Sequence, residues 1–238
     1  RGESPAGPEK PAGFYVRSDL IEDGTVKTVS DLKGKTIGLA GGEGDIGNSG
    51  GYFISRILAE GGLTLKDVKW ANVSQGDTAA AFRNKAIDAA FLPSPFSTNV
   101  VESGLGKPFG NQELLTGETS GGLILGPNLL VEDRVAGVAL LRALLRAGEV
   151  MAQGDYRENP KVVDALLKHG YKEESIKQTP LYAYEPELPL NPKTVETFQR
   201  TFLDHGNVLT IKQPMAFEDI TDEPLRKAAV SSRKVCGR

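Results

Sequence analysis

The residues best suited to chemistry lie together in Gly41-Gly42-Glu43-Gly44-Asp45-Ile46-Gly47-Asn48-Ser49-Gly50-Gly51. Its glycines let the backbone approach a ligand closely. Glu43 and Asp45 add carboxylates and Asn48 an amide. The stretch follows the apolar run Thr36 to Ala40 and leads into a helix expected to begin near Ser49. In an open α/β sheet ligands gather at such a place, because loops leave the sheet there and helix N–H groups are unpaired. The chemistry on offer is capture of a polar solute, with Gly42, Glu43, Gly44, Asp45 and Asn48 as the candidate contacts. No Gly-Lys-Ser/Thr closes the loop and no clean dinucleotide fingerprint is present. A plain surface loop is the competing reading.

Two further loops leave expected strands on the same edge. Ser74-Gln75-Gly76-Asp77-Thr78 contributes Gln75, Asp77 and Thr78; Pro93-Ser94-Pro95-Phe96-Ser97 contributes Pro93, Ser94 and Phe96. Taken singly, Asp77 reads as a helix cap and Phe96 as a core residue. Together the three loops make a polar, glycine-lined mouth with Tyr52 and Phe53 nearby, suited to a small molecule rather than a protein surface.

Catalytic groupings are scarce. The two histidines, His169 and His205, each stand at an expected helix end just before glycine. There an imidazole commonly serves the last carbonyls. No His/Cys/Asp cluster has metal-ligand spacing. There is no Gly-x-Ser-x-Gly elbow, and the single cysteine, Cys236, sits in a basic tail. Neither cofactor nor metal is expected.

The elements that position these loops follow from periodicity. Strands are expected at Phe14–Arg17, Thr36–Ala40, Val68–Val73, Asp88–Leu92 and Gly121–Leu125. Helices are expected from Ser49 to the Gly61-Gly62 stop, and over Ala79–Arg83 and Ser94–Glu102. This threefold alternation is the signature of parallel βαβ units. After residue 125 the chain reads as helices over Glu132–Gln153, Pro160–His169, Lys172–Lys177 and Pro192–His205. Val135, Val138, Leu141, Leu144 and Leu145 form the expected buried stripe of the first. Arg1–Ala12 and Pro180–Pro192 are proline-rich and read as linkers.

The totals agree with this. A chain of 238 residues, 39% hydrophobic and 25% charged, can bury a sizeable core. A net charge of −3 offers no basic stripe for nucleic acid. The chain begins at Arg1 without a charged-then-apolar leader, so an exported protein would be seen here in processed or partial form.

Val29-Ser30-Asp31-Leu32-Lys33-Gly34-Lys35-Thr36-Ile37-Gly38 resembles the opening block of periplasmic solute-binding proteins. Leu58-Ala59-Glu60-Gly61-Gly62-Leu63, Asp67-Val68 and Asn84-Lys85-Ala86-Ile87-Asp88-Ala89-Ala90 resemble later blocks, in order. The group resembled is the nitrate/sulfonate/taurine and thiamine-precursor family of ABC-transporter binding proteins, also called SsuA/THI5-like or NMT1, over about Phe14 to Pro224. The resemblance implies a two-lobed type II periplasmic binding fold, with ligand held between α/β lobes. Lobe 1 would open with 1–35 (linker, strand and hinge), lobe 2 would span 36–118, and 119–238 would return to lobe 1. Phe14–Arg17 and Gly121–Leu125 would lie near the hinge. The family's ligand-facing loops fall on Gly42–Asn48, Gln75–Thr78 and Pro93–Phe96. Two departures stand out: the family's first strand-helix-strand segment has no counterpart before Phe14, and Ser94-Pro95 replaces a carboxylate before proline.

The implied function is capture of a small organic solute (sulfonate, pyrimidine, flavin or aromatic) outside the cytoplasm. The solute would pass to an ABC permease in the membrane, with the binding protein acting as a monomer. The three loops contain acidic groups but no Lys or Arg, which favours a neutral or nitrogen-bearing, partly aromatic solute. The alternatives are a pyrimidine synthase-like or desulfinase-like enzyme on the same scaffold, or the effector domain of a transcription regulator.

Overall fold

The computed structural model describes residues 12–115, 122–178, 186–206 and 208–233. Expectations for residues 1–11, for Gly121, for 179–185 and for Cys236 lie outside the described residues. The described chain forms two compact units. One holds the described residues of Pro8–Ser120 and Lys193–Pro214; the other holds those of Gly121–Pro192 and Met215–Arg238. The expected divisions at 35/36 and 118/119 are thus set beside a scheme in which residues 193–214 join the sheet unit.

The first unit is built on a five-stranded sheet. Its strands are β1 (Ala12–Arg17), β2 (Thr36–Leu39), β3 (Lys69–Asn72), β4 (Ala89–Pro93) and β5 (Gly106–Pro108), in the order β3-β2-β4-β1-β5. β3, β2 and β4 run parallel, with Ile37 beside Trp70 on one side and Ala89 on the other. β1 runs antiparallel to both β4 and β5. The parallel trio is what βαβ alternation dictates, and its connections are α2 (Ser49–Glu60) and α3 (Thr78–Arg83). α1 (Ser18–Glu22) follows β1, and α4 (Phe96–Glu102) follows β4.

Alternation along the strands divides the core between the two faces of the sheet. Phe14 and Val16 of β1 and Ala89 of β4 join one cluster with Ile54, Ile57 and Leu58 of α2. Tyr15, Ala90 and Leu92, the intervening residues, join Phe82 and Val100 on the other. Phe14 is fully buried, and truncating a side chain so placed costs about 3–5 kcal/mol. At the amino-terminal edge Arg17 is buried; its Nη1 donates to the Ile87 carbonyl at 3.1 Å, and Asp88 accepts the Thr36 amide at 2.9 Å. α8 (Pro192–His205) supplies Phe202, fully buried in the first cluster, and Phe198 packed against it.

The second unit is helical among its described residues. It comprises α5 (Arg134–Met151), α6 (Pro160–Lys168), α7 (Glu173–Gln178), α9 (Phe217–Ile220) and α10 (Glu223–Arg233). Asp133 caps α5 by accepting the Ala136 amide at 2.9 Å. Asn159 caps α6 by accepting the Lys161 amide, and Pro160 takes its first position. Arg134 grips both oxygens of Asp222, at 2.7 and 3.1 Å. Two expectations fail here. Val135, placed in the buried stripe, lies in the first turn of α5 and is 81% exposed; Val138, Leu141 and Leu144 are half-buried, and only Leu145 of the stripe is buried. Gly122–Leu125 forms no strand; Leu123 and Ile124 are exposed, and no described strand lies alongside to take their backbone hydrogen bonds.

Candidate functional site

The parallel strands β3, β2 and β4 are neighbours, so the three loops leaving their carboxyl ends emerge on one edge. After β2 the chain turns at Gly41, whose φ of +85° is left-handed. The Gly41 amide donates to Asn72 Oδ1 at 2.9 Å, tying this turn to the end of β3. Gly42 is buried against Asn72, whereas Glu43, Gly44 and Asp45 are exposed on a short 3-10 turn, Gly42–Asp45. Asn48 caps α2: its Oδ1 accepts the Gly51 amide at 3.1 Å and its Nδ2 donates to the Asp45 carbonyl at 2.6 Å. Close packing fixes Gly51, since a Cβ there would lie 2.0 Å from the Ile46 carbonyl oxygen.

The second loop is a capped turn. Ser74 Oγ donates to Asp77 Oδ2 at 2.6 Å, and the Asp77 amide donates back to Ser74 Oγ at 3.2 Å. Gln75 and Asp77 are exposed. Thr78 is buried and its hydroxyl donates to the Ser74 carbonyl. In the third loop Pro93 is the last residue of β4, paired with Ala12, and so belongs to the sheet. Ser94 and Phe96 are half-buried, and the Phe96 ring lies beside Gly76, where a Cβ would meet it at 3.8 Å.

The structure therefore joins the first and second loops through Asn72, and the second and third through Phe96. Glu43, Gly44, Asp45, Gln75 and Asp77 are the exposed members. Asn48 and Thr78 have hydrogen bonds to their own turns. Tyr52 and Phe53, expected beside the mouth, are 1% and 8% exposed and belong to the core. They form a run of aromatic contacts: Phe91–Phe53 at 5.1 Å, Phe53–Tyr52 at 5.8 Å, Tyr52–Phe198 at 4.8 Å and Phe198–Phe202 at 4.9 Å.

Sequence reasoning missed Asn72, although an amide at a strand end beside a glycine run is a signal that could have found it. It also missed what surrounds His205. The cation serving the last turn of α8 is Lys66, whose Nζ donates to the Asp204 carbonyl at 3.0 Å. His205 Nδ1 is buried and has no hydrogen-bond partner among the described residues. Burial, then the Lys66 charge, hold the imidazole below its ordinary pKa, against the opposing pull of Glu43. The imidazole of His205 is thus influenced by charges from two segments far away in sequence. Among the described residues no group of three His, Cys, Asp or Glu could hold a metal, and no helix is long and apolar enough to cross a membrane. An open groove lined by Glu187, Arg226, Lys227, Val230 and Ser231 belongs to the helical unit and includes no residue of the three loops.

Comparison with known proteins adds to this geometry. The family model described as NMT1/THI5 like matches residues 10–104. No curated protein matches the chain. Among solved structures, the chain is similar to the alkanesulfonate-binding protein SsuA from Xanthomonas axonopodis pv. citri bound to MOPS. That match has 21% identity and a TM-score of 0.60, covering 86% of this chain and 67% of that one. The periplasmic nitrate-binding protein NrtA from Synechocystis PCC 6803 matches at 15% identity and TM-score 0.62, covering 94% and 66%. The desulfurization enzyme DSZB matches at 17% identity and TM-score 0.55, covering 93% and 76%. At these identities the likeness is one of fold, and that fold carries binding proteins and an enzyme alike. Residues 10–104 match the NMT1/THI5-like family model, and the chain has the fold of the periplasmic solute-binding proteins.

Proposed function

We propose that the chain is the solute-binding component of an ABC importer, acting outside the cytoplasm as a monomer. The observation that carries this reading is the convergence of three strand-end loops on one edge of adjacent parallel strands, linked by Asn72–Gly41 and by Phe96 against Gly76. Glu43, Asp45, Gln75 and Asp77 supply carboxylate and amide contacts, Gly44 the backbone approach, and Phe96 an apolar wall, while Gly42, buried against Asn72, seats the turn. Asn48, Thr78, Pro93 and Ser94 shape the turns around them. These carboxylates suit an amino, hydroxyl or heteroaromatic group on the solute. Capture works by closure only where the solute contacts the closed state better than the open one.

A thermal-shift screen of sulfonates, nitrate, pyrimidines, flavins and aromatic acids tests this directly. A true ligand at a hundredfold excess over its Kd stabilises the protein by about 2.7 kcal/mol and raises Tm accordingly. The enzyme reading rests on the fold shared with the desulfurization enzyme DSZB. Turnover of a screened compound, with no compound raising Tm, would replace transport by catalysis.

A further inference from the structure

Three facts meet at the end of α8. First, His205 Nδ1 is buried and lacks a hydrogen-bond partner among the described residues. Second, charged groups from two other elements act on the imidazole in opposite directions: Lys66, in the turn before β3, and Glu43, in the turn after β2. On its own helix the neighbour is Asp204, whose carbonyl takes the Lys66 hydrogen bond. Third, the segment just beyond packs on the glycine-rich stretch. Val208 stands so near Gly47 that a Cβ there would lie 2.6 Å from Val208 Cγ1. Val208 and Leu209 both pack on the cluster that contains Ile46 and Leu39.

We infer that His205 is an acid-sensitive latch, whose protonation releases the end of α8 and Val208–Leu209 from the stretch Gly41–Gly51. The chemistry follows from the imidazole. Neutral histidine has one N–H donor, whereas imidazolium has two. The second N–H, on Nδ1, would point at no acceptor, and a buried donor left unsatisfied is costly. The new positive charge is also repelled by Lys66. Glu43 attracts it, but that carboxylate is exposed and its pull is screened by water. The least costly relief is for the ring to swing into solvent and take the helix end with it.

The sign is set by where the proton binds. The latched form disfavours the imidazolium, in keeping with the depressed pKa of His205. The released form titrates near the ordinary value of about 6.5. Latching is therefore complete above that value and weakens as pH falls below it. Histidine is the side chain whose unperturbed pKa places this change between pH 5 and 8. Weaker solute capture in acid is a consequence that rests on the proposed site; the latch itself does not.

The test needs no solute, so its failure is distinct from a failure of the binding reading. Imidazole signals of the intact chain are followed by NMR, with His169→Gln to assign the two histidines. The expected midpoint for His205 lies below about 6.5. Amide exchange at Gly41–Gly51, corrected for its intrinsic pH dependence, is expected to be faster at pH 5.5 than at 7.5. The excess is up to roughly tenfold for each unit by which the midpoint is depressed. His205→Gln removes that excess. Lys66→Gln keeps the histidine, raises its midpoint and shrinks the excess, which covers the case in which His205→Gln does not fold. A His205 midpoint at or above 6.5, equal protection at both pH values, or an acid excess that survives both substitutions overturns the latch.

Discussion

Asn72 accepts the backbone N–H of Gly41 at 2.9 Å, so the last residue of one strand holds the first turn after its neighbour. The glycine-rich loop is thereby fixed from outside itself. Gly41 needs its left-handed φ to present that N–H, and Asn72 needs only its strand-end position to receive it.

Replacing Asn72 by Ala is expected to cost about 0.5–1.5 kcal/mol, the usual net worth of one such hydrogen bond. Urea unfolding measures the loss, and exchange of the Gly41 amide localises it. An unchanged Gly41 exchange rate would remove the strut.

Gly51→Ala is the sharper test of the packing beneath the loop. A Cβ there meets the Ile46 carbonyl oxygen at 2.0 Å, backbone that cannot swing aside. Destabilisation of about 1–3 kcal/mol is expected, read from the shift of the denaturation midpoint. A variant as stable as the parent chain contradicts this geometry.

How far the sequence carried these conclusions depended on the range of the interactions. The βαβ alternation, the helix from Ser49 and the helix start at Pro160 all rest on neighbours a few residues apart, and all appear in the structure. Burial by sequence pattern was less reliable. Tyr52 and Phe53 were placed at the mouth but pack against Phe198 and Phe91, partners that no local pattern announces. Gly122–Leu125 has the composition of a strand, yet a strand exists only beside another. Asn72 and His205 escaped for the same reason: their meaning lies in Gly41, Lys66 and Glu43, which the fold alone brings near.

For solute binding, Asp77→Ala and Phe96→Ala are the informative pair. Asp77 is exposed and its carboxylate is held by Ser74 Oγ at 2.6 Å. Each substitution is expected to weaken affinity about tenfold, or ~1.4 kcal/mol by titration calorimetry, while circular dichroism shows the fold retained. Unchanged affinity in both variants would move the site away from these loops.

Acid should act on the chain a second time, below the histidine range. Asp31 is held under its ordinary pKa by the backbone N–H groups of Thr28 and Lys27, and Asp67 by the N–H and hydroxyl of Thr64. Their folded pKa values lie below the unfolded value of about 3.9. Their contribution is therefore complete above that pH and is lost as pH falls through the folded values. Between pH 5 and 3 the urea midpoint of the parent chain should fall more steeply than that of Asp67→Asn. Parallel curves would assign acid sensitivity elsewhere.

The assignment of Lys193–Pro214 to the sheet unit, with the helical unit drawing on sequence before and after it, bears on how the gene can be divided. Neither unit is a continuous reading frame. A stop codon after residue 120 would remove α8 and strip Phe198 and Phe202 from the sheet's core, leaving Tyr52 uncovered. Isolating the sheet unit instead calls for an internal deletion, with a short linker in place of 121–192, and a stop after Pro214.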